Sequence, residues 1–88
     1  MRKLAPTTSF VRDLDKFIIQ HKDLSKTIEK VFRLLENDVK AAPLHTHKLH
    51  GKLLKLYACS INYKYRLIFE FDDEHIYLHY VGAHDDVY

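Results

Sequence analysis

With 88 residues, 47% of them hydrophobic and 30% charged, the chain can build one modest core and is too apolar for intrinsic disorder. No apolar run approaches the ~20 residues of a membrane span, the N-terminus lacks a signal-peptide core, and the single cysteine excludes an internal disulfide, so the expectation is one cytoplasmic domain. The net charge of +2 hides a division: residues 40–66 carry six Lys/Arg and no acid, whereas everything after Arg66 carries six acids and no Lys/Arg, the footprint of a polyanion site or of a plain solvated face.

Residues 1–5 read as a short strand. Pro6-Thr7-Thr8-Ser9 then offers capping hydroxyls ahead of a helical periodicity. Phe10, Leu14, Phe17 and Ile18 make its apolar stripe, which runs to about His21. Asp23 is placed to cap a second helix, in which Leu24, Ile28, Val31, Phe32 and Leu35 repeat the pattern. Two amphipathic helices joined by two or three residues make an antiparallel hairpin. Pro43 ends the helical half.

Beyond Pro43 the period changes to two. Residues 53–61 read as a strand, and residues 44–51 before them as a loop. Tyr65, Leu67, Phe69 and Phe71 alternate with Arg66, Ile68 and Glu70 in a second strand. Asp72-Asp73-Glu74 is a polar turn, and Ile76, Leu78 and Tyr80 then alternate with Tyr77, His79 and Val81. The predicted architecture is α+β, with two layers: an N-terminal helical hairpin packed on a small antiparallel sheet. Alternation puts Arg66 on the face opposite Tyr65, Leu67, Phe69 and Phe71, which is the open face if the aromatic one meets the helices.

Three stretches can carry chemistry. LHTHKLHG (44–51) holds His45, His47 and His50, at spacings that match no common zinc motif and with no cysteine pair to complete one. A solvated loop and phosphate handling are the readings left beside metal, since histidine titrates near neutral pH. KYRLIFEF (64–71) places Arg66, a planar and permanently charged donor suited to phosphate, toward the acid-free segment. YVGAHDDVY (80–88) ends the chain on His84 and Tyr88. Simple parity groups His84 with Ile76, Leu78 and Tyr80, unless a bulge or bend at Gly82 breaks the alternation. The plain alternative is that Val87 and Tyr88 pin the terminus by packing. Together the parts suit cleavage of RNA by its own 2′-hydroxyl. A base removes the hydroxyl proton, a cation steadies the crowded phosphate, and an acid protonates the 5′ oxygen. Two histidines and an arginine can fill these roles without the thiol; Cys59 reads as a small buried strand residue.

The order of parts resembles the RelE/YafQ group of mRNA interferase toxins across essentially the whole chain. HKLHG (47–51), YRLIF (65–69) and VGAHDDVY (81–88) carry the likeness, in that order. RelE-type toxins have a similar Lys-Leu-x-Gly, a Tyr-Arg-Leu-Val-Tyr-like strand and a closing Val-Gly…Val-Tyr. YafQ-type toxins have a histidine before the Leu-x-Gly and a Thr-Gly-x-His before a terminal aromatic. The resemblance implies a single RelE/ParE-superfamily toxin domain. It further implies an endoribonuclease that cuts mRNA in the ribosomal A site, and a cognate antitoxin held with it in a hetero-oligomer. By the same resemblance His84 is the general acid, His47 the histidine ahead of the Leu-x-Gly, Arg66 the contact to the scissile phosphate, and Tyr88 the residue that orients the substrate base. One departure stands out. YafQ-like members have His at the position of Ser60 and an acid at that of Lys64. Either the base role falls to His47 or His50, with Lys64 as an extra cation, or the enzyme is slow. Lys48, Lys52, Lys55 and Lys64 are the expected RNA-binding cations, and no metal or cofactor is expected. The rival readings are a ParE-like toxin without nuclease activity and a catalytically weak module that binds nucleic acid or antitoxin.

Overall fold

Pro6 and Thr7 mark the point where the chain leaves strand β1 (Lys3–Pro6) and enters helix α1 (Thr8–Gln20) in the computed structural model, which describes residues 1–49 and 55–83. Thr7 is the N-cap: its Oγ1 accepts from the Phe10 backbone N–H at 3.1 Å. At the other end the His21 N–H donates to the carbonyls of both Phe17 and Ile18. This tightens the chain into a 3₁₀ turn at Lys22–Leu24, so Asp23 lies inside that turn and does not cap the second helix. Helix α2 (Ser25–Asn37) starts with Leu24 in the cap position and no side-chain hydrogen bond there. Two helices joined by a short turn are present as predicted.

Four further strands follow: β2 (His47–Lys48), β3 (Tyr57–Ser60), β4 (Tyr65–Phe71) and β5 (His75–Ala83). The sheet order is β1-β5-β4-β3-β2. Strands β2 to β5 pair antiparallel in sequence, and β1 runs parallel to β5, with Lys3 opposite His75 and Pro6 opposite Leu78. The sheet is therefore mixed, where a purely antiparallel one was expected. The two helices cross between β1 and the later strands, and such a crossover permits parallel pairing. The strand predicted over 53–61 is shorter, and β2 adds an edge inside the predicted loop.

The helix-facing side of the sheet forms the main core. Cys59, Leu67, Phe69, Ile76, Leu78 and Val81 pack there against Phe10, Phe17, Ile28, Val31 and Leu35. A register shift explains how Leu78 and Val81, three residues apart, both reach it. Ile68 pairs with Tyr80 but Phe69 pairs with Leu78, which leaves His79 as the extra residue of a β-bulge. The bulge turns Tyr80 to the other face, where it packs against the small cluster of Leu49, Ala58 and Ile68. Parity thus breaks at His79, before Gly82. The His79 ring lies 2.9 Å from the Glu70 carboxylate at this bulge.

Cys59 is fully buried, and that burial pushes its thiol up to about 12 from an ordinary 9.0, against the pull of the Arg66 guanidinium and of a hydrogen bond with the Leu67 backbone. The expected result is a native thiol that resists Ellman's reagent at pH 8 and reacts at once in denaturant. The pH dependence follows by linkage. The unfolded thiol ionises above about 9 while the native one stays protonated, so this contribution to stability is present below pH 9 and is lost as pH rises toward 12. Urea melts of wild type and Cys59→Ala at pH 8 and pH 10.5 measure it: the wild type should lose more on the rise. Rapid stoichiometric labelling of the native protein would contradict the assignment.

Candidate active site

The acid-free segment is built onto the edge of the sheet from α2 outward. Thr46 Oγ1 donates to the Val39 carbonyl at 2.6 Å, tying the segment to the end of the second helix. Pro43 sits in a 3₁₀ turn at Ala42–Leu44, and His45 follows in the left-handed region at φ 50° and ψ 42°. Such a conformation is uncommon for a non-glycine residue, although histidine tolerates it better than most. It aims the His45 carbonyl at the next-but-one ring: His47 Nδ1 lies 3.2 Å from His45 O. A carbonyl only accepts, so Nδ1 is the donor in this contact. His47 then enters β2 opposite Ala58.

Arg66 arrives from the centre of the sheet. It stands opposite Ser60 of β3 on one side and Gly82 of β5 on the other, on the face away from the helices, as alternation predicts. Gly82 leaves room that another residue would fill. A Cβ there would meet the Tyr80 ring at 2.6–2.8 Å, because that ring lies across the glycine. The Arg66 guanidinium is half-buried and anchored through one nitrogen, with Nη1 donating to the carbonyls of Asn62 and Tyr65. Among the described residues nothing accepts from Nη2 or Nε, whose donors suit an anion. The Asn62 side chain locks this β3–β4 turn, its Oδ1 accepting from the backbone N–H of Lys64 at 2.9 Å and of Tyr65 at 2.8 Å.

These parts converge on a cleft of about 470 Å³, inside the ~300–1,000 Å³ usual for small-ligand sites. His45, His47, Ser60, Asn62, Tyr63 and Arg66 line it, and no described carboxylate does. Among the described residues the only contact of this kind is the His79 ring with the Glu70 carboxylate, and no described carboxylate pairs with Arg66. A second cleft of about 360 Å³, between α1 and the end of β5, holds Asp13, Lys16 and His21 but none of the predicted site residues.

Of the predicted residues, His47 and Arg66 share the larger cleft, and Ser60, the departure from the expected pattern, lies between their strands. Lys48, Lys55 and Lys64 are exposed but do not line it. Alternation turns Lys48 to the other face from His47, and Lys64 Nζ sits 5.5 Å over the Tyr65 ring. His50, Lys52, His84 and Tyr88 lie outside the described residues. Sequence reasoning did not single out Asn62 or Tyr63. The signal for Asn62 was available, since asparagine ahead of a strong strand marks an Asx turn. Among the described residues no group of three or more His, Cys, Asp or Glu could hold a metal ion. No described helix is long and apolar enough to cross a membrane.

A family model described as a bacterial toxin of type II toxin–antitoxin system, YafQ, matches residues 2–88. No curated protein sequence matches the chain. Among solved structures, YafQ from E. coli strain BL21(DE3) superposes with a TM-score of 0.83 at 18% identity, covering 100% of this chain and 99% of that one. A copper-bound mutant toxin from Helicobacter pylori superposes with a TM-score of 0.83 at 26% identity, covering 100% of both chains. The E. coli DinJ–YafQ toxin–antitoxin complex gives 0.81 at 19% identity, covering 99% and 97%.

Proposed function

Because the chain belongs to the YafQ family of bacterial type II toxin–antitoxin toxins, we propose that it is an endoribonuclease that cleaves mRNA in the ribosomal A site without a catalytic metal. His47 takes the proton from the 2′-hydroxyl. The 2′ oxygen attacks the adjacent phosphorus, and the bond to the 5′ oxygen breaks. Arg66 donates from Nη2 and Nε to the phosphate as charge accumulates on it. His84 protonates the departing 5′ oxygen, and Tyr88 orients the neighbouring base; both roles come from the family resemblance. Lys48, Lys52, Lys55 and Lys64 attract the RNA backbone by their charge, and His50 is the alternative base. A cognate antitoxin is the proposed protein partner, as DinJ is for E. coli YafQ. The acid-free segment suits an acidic antitoxin tail.

The observation that carries this reading is the shared cleft. An imidazole bonded to His45 O and an arginine anchored through Nη1 share one cleft that no described carboxylate lines. The test is end-mapping of an mRNA translated on purified ribosomes with the protein added. The expected products carry 5′-hydroxyl and 2′,3′-cyclic phosphate ends, and a 2′-deoxy residue at the cut position abolishes cleavage. Cleavage that survives the deoxy substitution would overturn the mechanism. RNA bound but left intact would reassign the chain as a binding module.

A further inference from the structure

Tyr63 is 88% exposed, whereas Tyr57, Tyr65, Tyr77 and Tyr80 are all half-buried. A tyrosine ring ordinarily packs most of its apolar surface away from water, so a ring standing clear of its own fold is the exception. Its mounting is rigid. Tyr63 tips the β3–β4 turn, which Asn62 Oδ1 holds with two hydrogen bonds and which the Ile61 N–H closes on the Tyr65 carbonyl at 3.0 Å. The same turn supplies both carbonyls that anchor Arg66. The ring is thus displayed at the rim of the cleft that holds His47 and Arg66, at a position set by the group proposed to grip the phosphate. Lys64, the next residue, is exposed beside it.

We infer that Tyr63 is a stacking platform for a base of single-stranded RNA next to the phosphate held by Arg66. This rests on the nuclease reading and adds a positioning residue to it. An exposed, preorganised ring stacks on any base without hydrogen-bond readout, and ordering it costs little because the turn is already closed. Tyr63 touches no reacting atom in this scheme, so its loss acts on binding before it acts on chemistry.

The chain contains no tryptophan, so Tyr63→Trp creates a single fluorescent reporter at this site. The probe is a 12-nucleotide single-stranded RNA with 2′-O-methyl groups, which binds but cannot be cut. The expected result is saturable quenching of the tryptophan emission. Tyr63→Ala weakens binding of an end-labelled copy of that RNA about tenfold, as loss of one base–aromatic stack typically does. In the ribosome assay the same variant raises KM by a similar factor with kcat nearly unchanged, and Tyr63→Phe behaves as wild type. Equal RNA affinity of Tyr63→Ala and wild type, with unquenched emission, would overturn the inference and leave the nuclease reading intact. No binding of the RNA by the wild type, together with uncut mRNA, would remove both. Unchanged RNA affinity with weaker antitoxin binding would place Tyr63 in a protein interface and overturn the inference as well.

Discussion

Arg66→Ala is expected to lower kcat for mRNA cleavage by about 10²–10³-fold, the usual loss when one preorganised donor to a developing charge is removed. Among the described residues the guanidinium is the only permanently charged cation that lines the cleft, and no described carboxylate neutralises it. Its two anchoring bonds go to backbone carbonyls through Nη1, so its position does not depend on another titrating group. The phosphate gains charge on its way to the crowded intermediate, and the arginine should matter more there than in the ground state. The loss should therefore fall on kcat more than on KM. Arg66→Lys should recover only part of the rate, because an ammonium restores the charge without the planar fork. Single-turnover cleavage on ribosomes measures both variants, with circular dichroism as the control for folding. A rate within threefold of wild type for Arg66→Ala would remove Arg66 from the mechanism.

The largest structural effect is expected at Phe69. It is fully buried on β4, the central strand, paired with Tyr57 on one side and Leu78 on the other. Its ring lies 6.1 Å from those of both Tyr57 and Phe71. Phe69→Ala removes the ring from the middle of the main core and leaves a cavity that flanking strands cannot close without breaking the ladder. The expected cost is about 3–5 kcal/mol. At roughly 0.05–0.15 kcal/mol per residue a chain of this size has about 4–13 kcal/mol in total, so the variant should be marginal or unfolded at growth temperature. Urea denaturation gives the number. Phe71→Ala, at the half-buried end of the same stripe, should cost less. Equal losses at the two positions would mean that the core is not centred on Phe69.

The contrast between these residues tracks what could be read early. Phe69 declared itself through alternation with Arg66, Ile68 and Glu70, and the same parity put Arg66 on the open face. The helical stripes of Phe10, Phe17, Ile28, Val31 and Leu35 were equally plain, because a period of 3.6 repeated over two helices has few competing readings. The two-residue strand β2 is too short for any period to register. The bulge at His79 and the parallel pairing of β1 with β5 are equally invisible, since each depends on a partner far away in the chain.

Local pattern, then, determined the helical hairpin, the strand alternation, the acid-free segment and the candidacy of His47 and Arg66, because periodicity and composition act between near neighbours. Tertiary structure alone decided that these two share a cleft, that Ser60 lies between their strands, that Lys48, Lys55 and Lys64 do not line it, and that Tyr63 stands out into solvent at its rim. Those outcomes depend on register and on hydrogen bonds to backbone atoms, and no order of residue types specifies them before the strands have paired.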